Sequence, residues 1–190
     1  MSNISFSMKI IDSSIPDVKI IAPAVFADSR GSFFESFNQK AFDATGIRAT
    51  FVQDNQSASS RNVLRGLHFQ RPPYEQGKLV RVVSGAVLDV VVDMRKDSPT
   101  FEKYFACELN TDNKYMLWVP PGFAHGFLTL ADDTIFVYKC TNFYNKASEG
   151  GIRWNDPDLA INWGTANPLL SDKDNVLPSW KEIKDLSFKI

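Results

Sequence analysis

Apolar and polar positions along this chain fall into short runs instead of long helical stretches. Runs rich in Val, Ile, Phe and Thr occur at Lys19 to Phe26, Ser32 to Phe37, Thr50 to Gln53, Val63 to Gln70 and Lys78 to Ser84. They continue at Ala86 to Asp93, Phe101 to Leu109, Tyr115 to Val119, Phe127 to Leu130 and Thr134 to Cys140, with Gly, Pro and polar turn residues between them. Many short strands so punctuated predict an all-β barrel or sandwich. Within Ala86 to Asp93, residues Ala86, Leu88, Val90 and Val92 share one face and Asp89 and Asp93 the other, the period of two that predicts a half-buried strand. One helix is expected between Asn38 and Gly46: Asn38 suits the N-cap, Phe37 and Phe42 have the spacing of a hydrophobic staple, and Gly46 suits the left-handed C-terminal position. Beyond Trp163 the segment through Asn167, Pro168, Ser171 and Asp174 reads as a loop, followed by a short amphipathic end near Trp180 and Ile183. No repeat or linker divides the 190 residues, so one domain over 1–190 is expected, with a core at about 16–163 and a C-terminal loop and tail at 164–190.

Composition narrows the function classes. Hydrophobic residues make up 44% of the chain and aromatics 13%, enough for a buried core and too much for a disordered chain. The net charge of −1 gives no global attraction for nucleic acid or an anionic membrane, so any anion must be recognised by a local cluster. The opening MSNISFSMKIIDSS lacks a basic stretch followed by a long apolar one, and no segment approaches the roughly 18 apolar residues of a membrane span, which predicts a soluble, cytoplasmic protein. Cys107 and Cys140 lie in strand-like runs without C-x-x-C pairing and are expected as buried free thiols.

The chain has only two histidines. Taken alone, each reads more readily as a hydrogen-bonded core residue than as a functional one. His68, however, stands between Arg65 and Lys78 in sequence, and a proton-accepting imidazole near fixed cations suits proton abstraction beside a carbonyl. The run Pro120-Pro121-Gly122-Phe123-Ala124-His125-Gly126-Phe127 resembles the second motif of the cupin superfamily, whose first motif corresponds to the segment from Gly66. Metal-binding cupins carry H-x-H in the first motif, and here Gln70 stands in place of the second histidine, so no metal site is expected.

Six ordered blocks carry a closer resemblance. They are Phe26 to Phe37 (FADSRGSFFESF), Phe51 to Asn55 (FVQDN), Leu64 to Gln70 (LRGLHFQ), Gln76 to Arg81 (QGKLVR), Phe123 to Phe127 (FAHGF) and Tyr138 to Thr141 (YKCT). In this order and spacing they resemble the dTDP-4-dehydrorhamnose 3,5-epimerase family, over about residues 16 to 174. The resemblance implies an all-β cupin jelly-roll, a double-stranded β-barrel with a short N-terminal helix and a partly helical C-terminal tail. It also implies a homodimer that acts on dTDP-4-dehydro-6-deoxy-glucose in dTDP-rhamnose biosynthesis with no metal or other cofactor. By position, His68 matches the family's proton acceptor and Tyr138 its proton donor, Lys78 the lysine beside the sugar carbonyl, and Asp174 the aspartate paired with the histidine. Arg30, Glu35, Gln53, Asn55, Arg65, His125, Glu149 and Lys173 match substrate-contacting positions, and Tyr144 the aromatic that stacks on thymine.

Each residue also has a bland reading: Tyr138 and Tyr144 as packing aromatics, Arg30, Arg65 and Lys78 as solvated strand charges, Asp174 as a turn or cap. Competing functions are a C3- or C5-only epimerase, a 3,4-ketoisomerase for another deoxysugar, and a non-catalytic cupin that binds a nucleotide sugar. Arg65 and His68 have opposite parity on one strand, although the resemblance puts both in the site. Gly66 between them is therefore expected to mark an irregularity that turns both inward.

Overall fold

Alternation along the strands sorts the side chains into three buried layers. The computed structural model describes residues 8–186, so the opening residues and the last of the tail lie outside the described residues. Six strands, β1 (Lys9–Asp12), β2 (Lys19–Ala22), β5 (Gln53–Ser59), β7 (Lys78–Ser84), β10 (Met116–Val119) and β12 (Thr134–Cys140), form one sheet in the order β1-β2-β10-β7-β12-β5. Five others, β6 (Leu64–Gln70), β8 (Ala86–Asp93), β9 (Tyr104–Asn110), β11 (Phe123–Thr129) and β13 (Glu149–Gly151), form a second in the order β13-β6-β11-β8-β9. A hairpin of β3 (Val25–Asp28) and β4 (Gly31–Phe34) makes a separate two-stranded sheet. Every pairing within these sheets is antiparallel.

The middle layer joins the sheets. Val80, Val82, Leu117 and Phe136 of the first pack with Val87, Val91, Leu109, Phe123 and Phe127 of the second. Phe127 and Phe136 stack across the gap with ring centroids 4.2 Å apart. On the outer side of the five-stranded sheet, Leu64, Leu67, Val90, Val92 and Leu128 are covered by Ile152, Leu159, Trp163, Trp180 and Ile183 from the C-terminal part of the chain. On the outer side of the six-stranded sheet, Leu79, Met116 and Trp118 are covered by Phe42 of helix α1 (Gln39–Ala44). That helix has the expected ends: Asn38 accepts from the Ala41 N–H, the Phe37 and Phe42 rings lie 5.8 Å apart, and Gly46 has φ +88°. Two short helices, α2 (Asp172–Asn175) and α3 (Trp180–Ile183), close the described chain, α3 burying the expected Trp180 and Ile183.

Three expectations need correction. The segment through Ser171 and Asp174, expected as a loop, ends in helix α2, which Ser171 caps and which carries Asp174. Strand β8 is not half-buried: Val87 and Val91 face the middle layer while Val90 and Val92 face the outer one, and Asp89 and Asp93 are fully buried between the sheets. Its period of two separates two apolar layers. Asp93 is satisfied there by Arg95, Ser98 and Thr100, at 2.6–2.8 Å. The run from Thr50 to Gln53 is not the fifth strand, which begins at Gln53 and runs through the polar QDNQSAS. As for the cysteines, both are free, Cys140 buried and Cys107 half-buried.

The expected irregularity lies at Gly66. Against β11, His68 pairs with His125 and Arg65 with Phe127, so three residue steps on β6 oppose two on β11. The extra residue keeps Leu64, Leu67 and Phe69 on the outer face while Arg65 and His68 both line the space between the sheets. Gly66 has φ +124°, and a Cβ there would come within 2.6 Å of the Gly126 Cα and 2.8 Å of the His125 carbonyl oxygen, so only glycine fits. Gly66→Val is accordingly expected to lower the unfolding free energy by roughly 3 kcal/mol. Urea unfolding of the purified variant checks this.

Candidate active site

Between the sheets, beside the Phe127–Phe136 stack, the side chains turn polar. Two adjoining chambers of about 310 and 410 Å³ share Asn55, His68, Lys78 and Tyr138 in their walls. The first adds Gln53, Gln70, Gln76, Tyr144 and Glu149, and the second adds Arg65, His125, Lys173 and Asp174. Eleven of the thirteen residues selected from the sequence thus meet at one place. Arg30 and Glu35 do not. Arg30 sits at the β3–β4 turn, its side chain 88% exposed and paired with Asp28. Glu35 accepts from the Asn38 amide beside α1.

His68, on the five-stranded sheet, is oriented from behind. Its Nε2 lies 2.6 Å from Oδ1 of Asp174, a carboxylate brought in by α2, where Ser171 caps the helix and bonds the Asp174 N–H. Burial pushes the Asp174 carboxyl up, but the hydrogen bond and charge of His68, with Ser171 and the Gly66 N–H, outweigh it and hold the group below its ordinary value. Tyr138 comes from β12 on the opposite sheet. Burial raises its hydroxyl pKa, with Arg65 opposing the shift, so the phenol keeps its proton at neutral pH. Lys78, on β7 beside β12, is pushed down by burial, while Cys140, Asp89 and Glu149 act to retain its charge.

The mouth is tied by polar contacts. Glu149 accepts from Lys173 and from the Tyr144 hydroxyl, the Tyr144 N–H donates to Gln53 Oε1, and Arg65 donates to Ser59 Oγ through Nε and Nη2. Sequence reasoning placed Asp89 on a polar face, yet the structure puts it against His125, with Nε2 at 3.1 and 3.0 Å from its two oxygens. The signal for this was present, since Val87 and Val91 occupy the same face of β8 as Asp89.

An imidazole backed by a carboxylate, a protonated phenol on the opposed sheet and a desolvated ammonium on the strand beside the phenol can remove a proton from carbon, return one on the other side and stabilise the anion formed in between. Among the described residues, no group of three or more His, Cys, Asp or Glu side chains is arranged to hold a metal ion.

This is a cupin jelly-roll with a proton-transfer site between its sheets. The chain belongs to the family described as dTDP-4-dehydrorhamnose 3,5-epimerase, which it matches over residues 12–182. It is 57% identical over 168 residues to the enzyme of that name from Shigella flexneri, covering 88% of this chain and 93% of the relative. Among solved structures, the Bacillus anthracis dTDP-4-dehydrorhamnose 3,5-epimerase with TDP and PPi bound aligns with a TM-score of 0.89 at 47% identity, over 91% of this chain and 99% of that one. The Legionella pneumophila dTDP-6-deoxy-D-glucose-3,5-epimerase, in complex with dTDP-4-keto-L-rhamnose, aligns with a TM-score of 0.92 at 44% identity, over 96% and 98%.

The Asp174 shift fixes the sign of a pH effect. A carboxyl held below its unfolded value of 3.8 stabilises the fold fully above that pH, and the contribution is lost as pH falls through the folded value. Asp174→Asn should therefore be less stable than the parent at about pH 7 and lose less stability on acidification from about pH 4 to about pH 2. Urea unfolding across that range measures both.

Proposed function

We propose that this chain epimerises C3 and C5 of dTDP-4-dehydro-6-deoxy-glucose, giving dTDP-4-dehydro-rhamnose. The observation that carries this reading is the placement of His68 and Tyr138 on opposed sheets, facing one cavity. A hexose ring lying between the sheets presents one face to each.

His68 takes the proton from the carbon beside the C4 ketone, and the C–H electron pair moves into a carbon–carbon double bond while the carbonyl π pair moves to oxygen. The ammonium of Lys78 stabilises the resulting enolate, and its desolvation strengthens that interaction. Tyr138 then delivers its proton to the same carbon from the opposite face as the double-bond pair returns, which inverts the centre. His68 ends protonated and Tyr138 deprotonated, and exchange with water resets both. The balance involves no net oxidation or reduction. Asp174 holds the imidazole in one orientation. Tyr144, Gln53 and Glu149 hold the nucleotide end, and Arg65 and Lys173 the diphosphate.

Arg30 and Glu35 fit this reading in a homodimer. Among the described strands their hairpin pairs only with itself, Phe33 on it is 62% exposed, and Arg30 is exposed and lines neither chamber of its own chain. We assign this hairpin to the site of a second copy, where Arg30 would meet the diphosphate.

In deuterated water, His68→Asn should slow exchange at both carbons by about 10³-fold. Tyr138→Phe should retain more exchange than net inversion, because abstraction precedes the step it serves; equal loss of both in a folded variant contradicts the acid role. NMR of the sugar protons reads each carbon separately, and labelling at only one would indicate a monoepimerase. If the hairpin acts in trans, mixing inactive His68→Asn with inactive Arg30→Ala, after subunit exchange, should restore activity, since a mixed dimer carries one intact site. Continued inactivity with exchange demonstrated would place Arg30 in its own subunit.

A further inference from the structure

His68 and His125 are direct partners across β6 and β11, and each has its own aspartate. The first pair belongs to the proton transfer just described. The second is more deeply placed: the His125 side chain is 6% exposed and that of Asp89 is 0% exposed. Asp89 interrupts a face of β8 that Val87 and Val91 otherwise make apolar. A carboxylate in that position is costly unless hydrogen-bonded, and an apolar residue of similar volume would serve packing better. Among the described residues its side-chain hydrogen-bond partner is a single atom, Nε2 of His125, which both oxygens approach.

That contact determines what His125 offers to a ligand. A carboxylate accepts hydrogen bonds, so it places the imidazole proton on Nε2 and leaves a lone pair on Nδ1. Nδ1 makes no hydrogen bond among the described residues, and His125 lines the same chamber as Lys78, Arg65 and Tyr138. Burial and the neighbouring Lys78 and His68 all disfavour a second proton, against the pull of Asp89, and the net direction is downward from the ordinary histidine value. His125 therefore meets the sugar as a hydrogen-bond acceptor. A ketone or enolate oxygen is itself an acceptor and does not match it, whereas a sugar hydroxyl does.

We infer that Asp89 is a positioning residue which holds His125 in the Nε2–H form, so that Nδ1 accepts a hydrogen bond from a hydroxyl of the bound sugar. This rests on the epimerase reading for the identity of the ligand, but the tautomer is a property of the free protein. Within the site, Lys78 is left as the cation that meets the carbonyl oxygen.

The two-histidine chain makes the test direct. In a protein labelled with ¹⁵N-histidine, imidazole nitrogen shifts distinguish the tautomers, and His68→Asn leaves His125 as the one histidine for assignment. The expected result is neutral His125 protonated at Nε2 at about pH 7. A Nδ1–H tautomer or an imidazolium there overturns the inference, whatever the variants do. In Asp89→Asn, whose amide can donate to Nε2, the fixed tautomer should be lost and kcat/KM should fall about 100-fold, while affinity for dTDP, which lacks the hexose, stays within about twofold. A folded Asp89→Asn protein with unchanged kcat/KM, or one whose dTDP affinity falls by the same factor, also overturns it. If the parent protein fails to turn over the keto sugar, the epimerase reading and the sugar contact fall together, and the nitrogen shifts still decide the tautomer assignment.

Discussion

The pleat of a β-strand sends successive side chains to opposite faces, and β6 departs from that rule by one residue at Gly66. Without the departure, Arg65 and His68 would stand on opposite sides of the five-stranded sheet. One of them would be pressed into the outer layer beside Trp163 and Trp180, where a charge or an imidazole has no hydrogen-bonding partner. The close approach of Gly66 to Gly126 and to the His125 carbonyl ties the irregularity to β11, whose own alternation is regular and carries His125 inward. The positions of Arg65, His68 and His125 thus follow from one backbone contact between two glycines.

Around that contact, burial governs the chemistry as well as the stability. Phe127 and Phe136 close one end of the space between the sheets and exclude water beneath the polar chambers. The same desolvation acts in opposite senses on the two groups of the six-stranded sheet: it keeps the Tyr138 proton in place and makes the Lys78 ammonium a poorly hydrated charge. A neutral phenol and a cation side by side are what an acid step and an enolate require, so one physical effect prepares both.

Much of this was legible in the residue pattern. The short apolar runs predicted the sheets, the Asn38 to Gly46 signals predicted α1, and the parity conflict between Arg65 and His68 predicted the bulge at Gly66. The readings that failed share a cause. Strand β5 was missed over most of its length because Gln53, Asn55 and Ser57 line the polar chambers while Asp54 and Gln56 are exposed, so no apolar alternation marks it. Asp89 was read as solvent-facing because a period of two says that the faces of a strand differ, and does not say that either meets water. Short-range patterns report the chemistry next to a residue, whereas these two residues' surroundings are set by strands paired from distant parts of the chain. The location of Arg30 and Glu35 outside the chambers was likewise invisible, since position in a motif does not specify where a hairpin packs.

The link between His68 and Asp174 spans 106 residues and reaches almost to the end of the described chain. The helix that supplies the carboxylate is fastened by the same C-terminal stretch that lays Trp180 and Ile183 over the outer layer. During synthesis His68 emerges well before Asp174, so a ribosome-bound nascent chain holds an imidazole without the carboxylate that bonds it. A chain cut or stopped ahead of Asp174 therefore loses the Trp180 cover of the outer layer and the hydrogen-bond partner of His68 together.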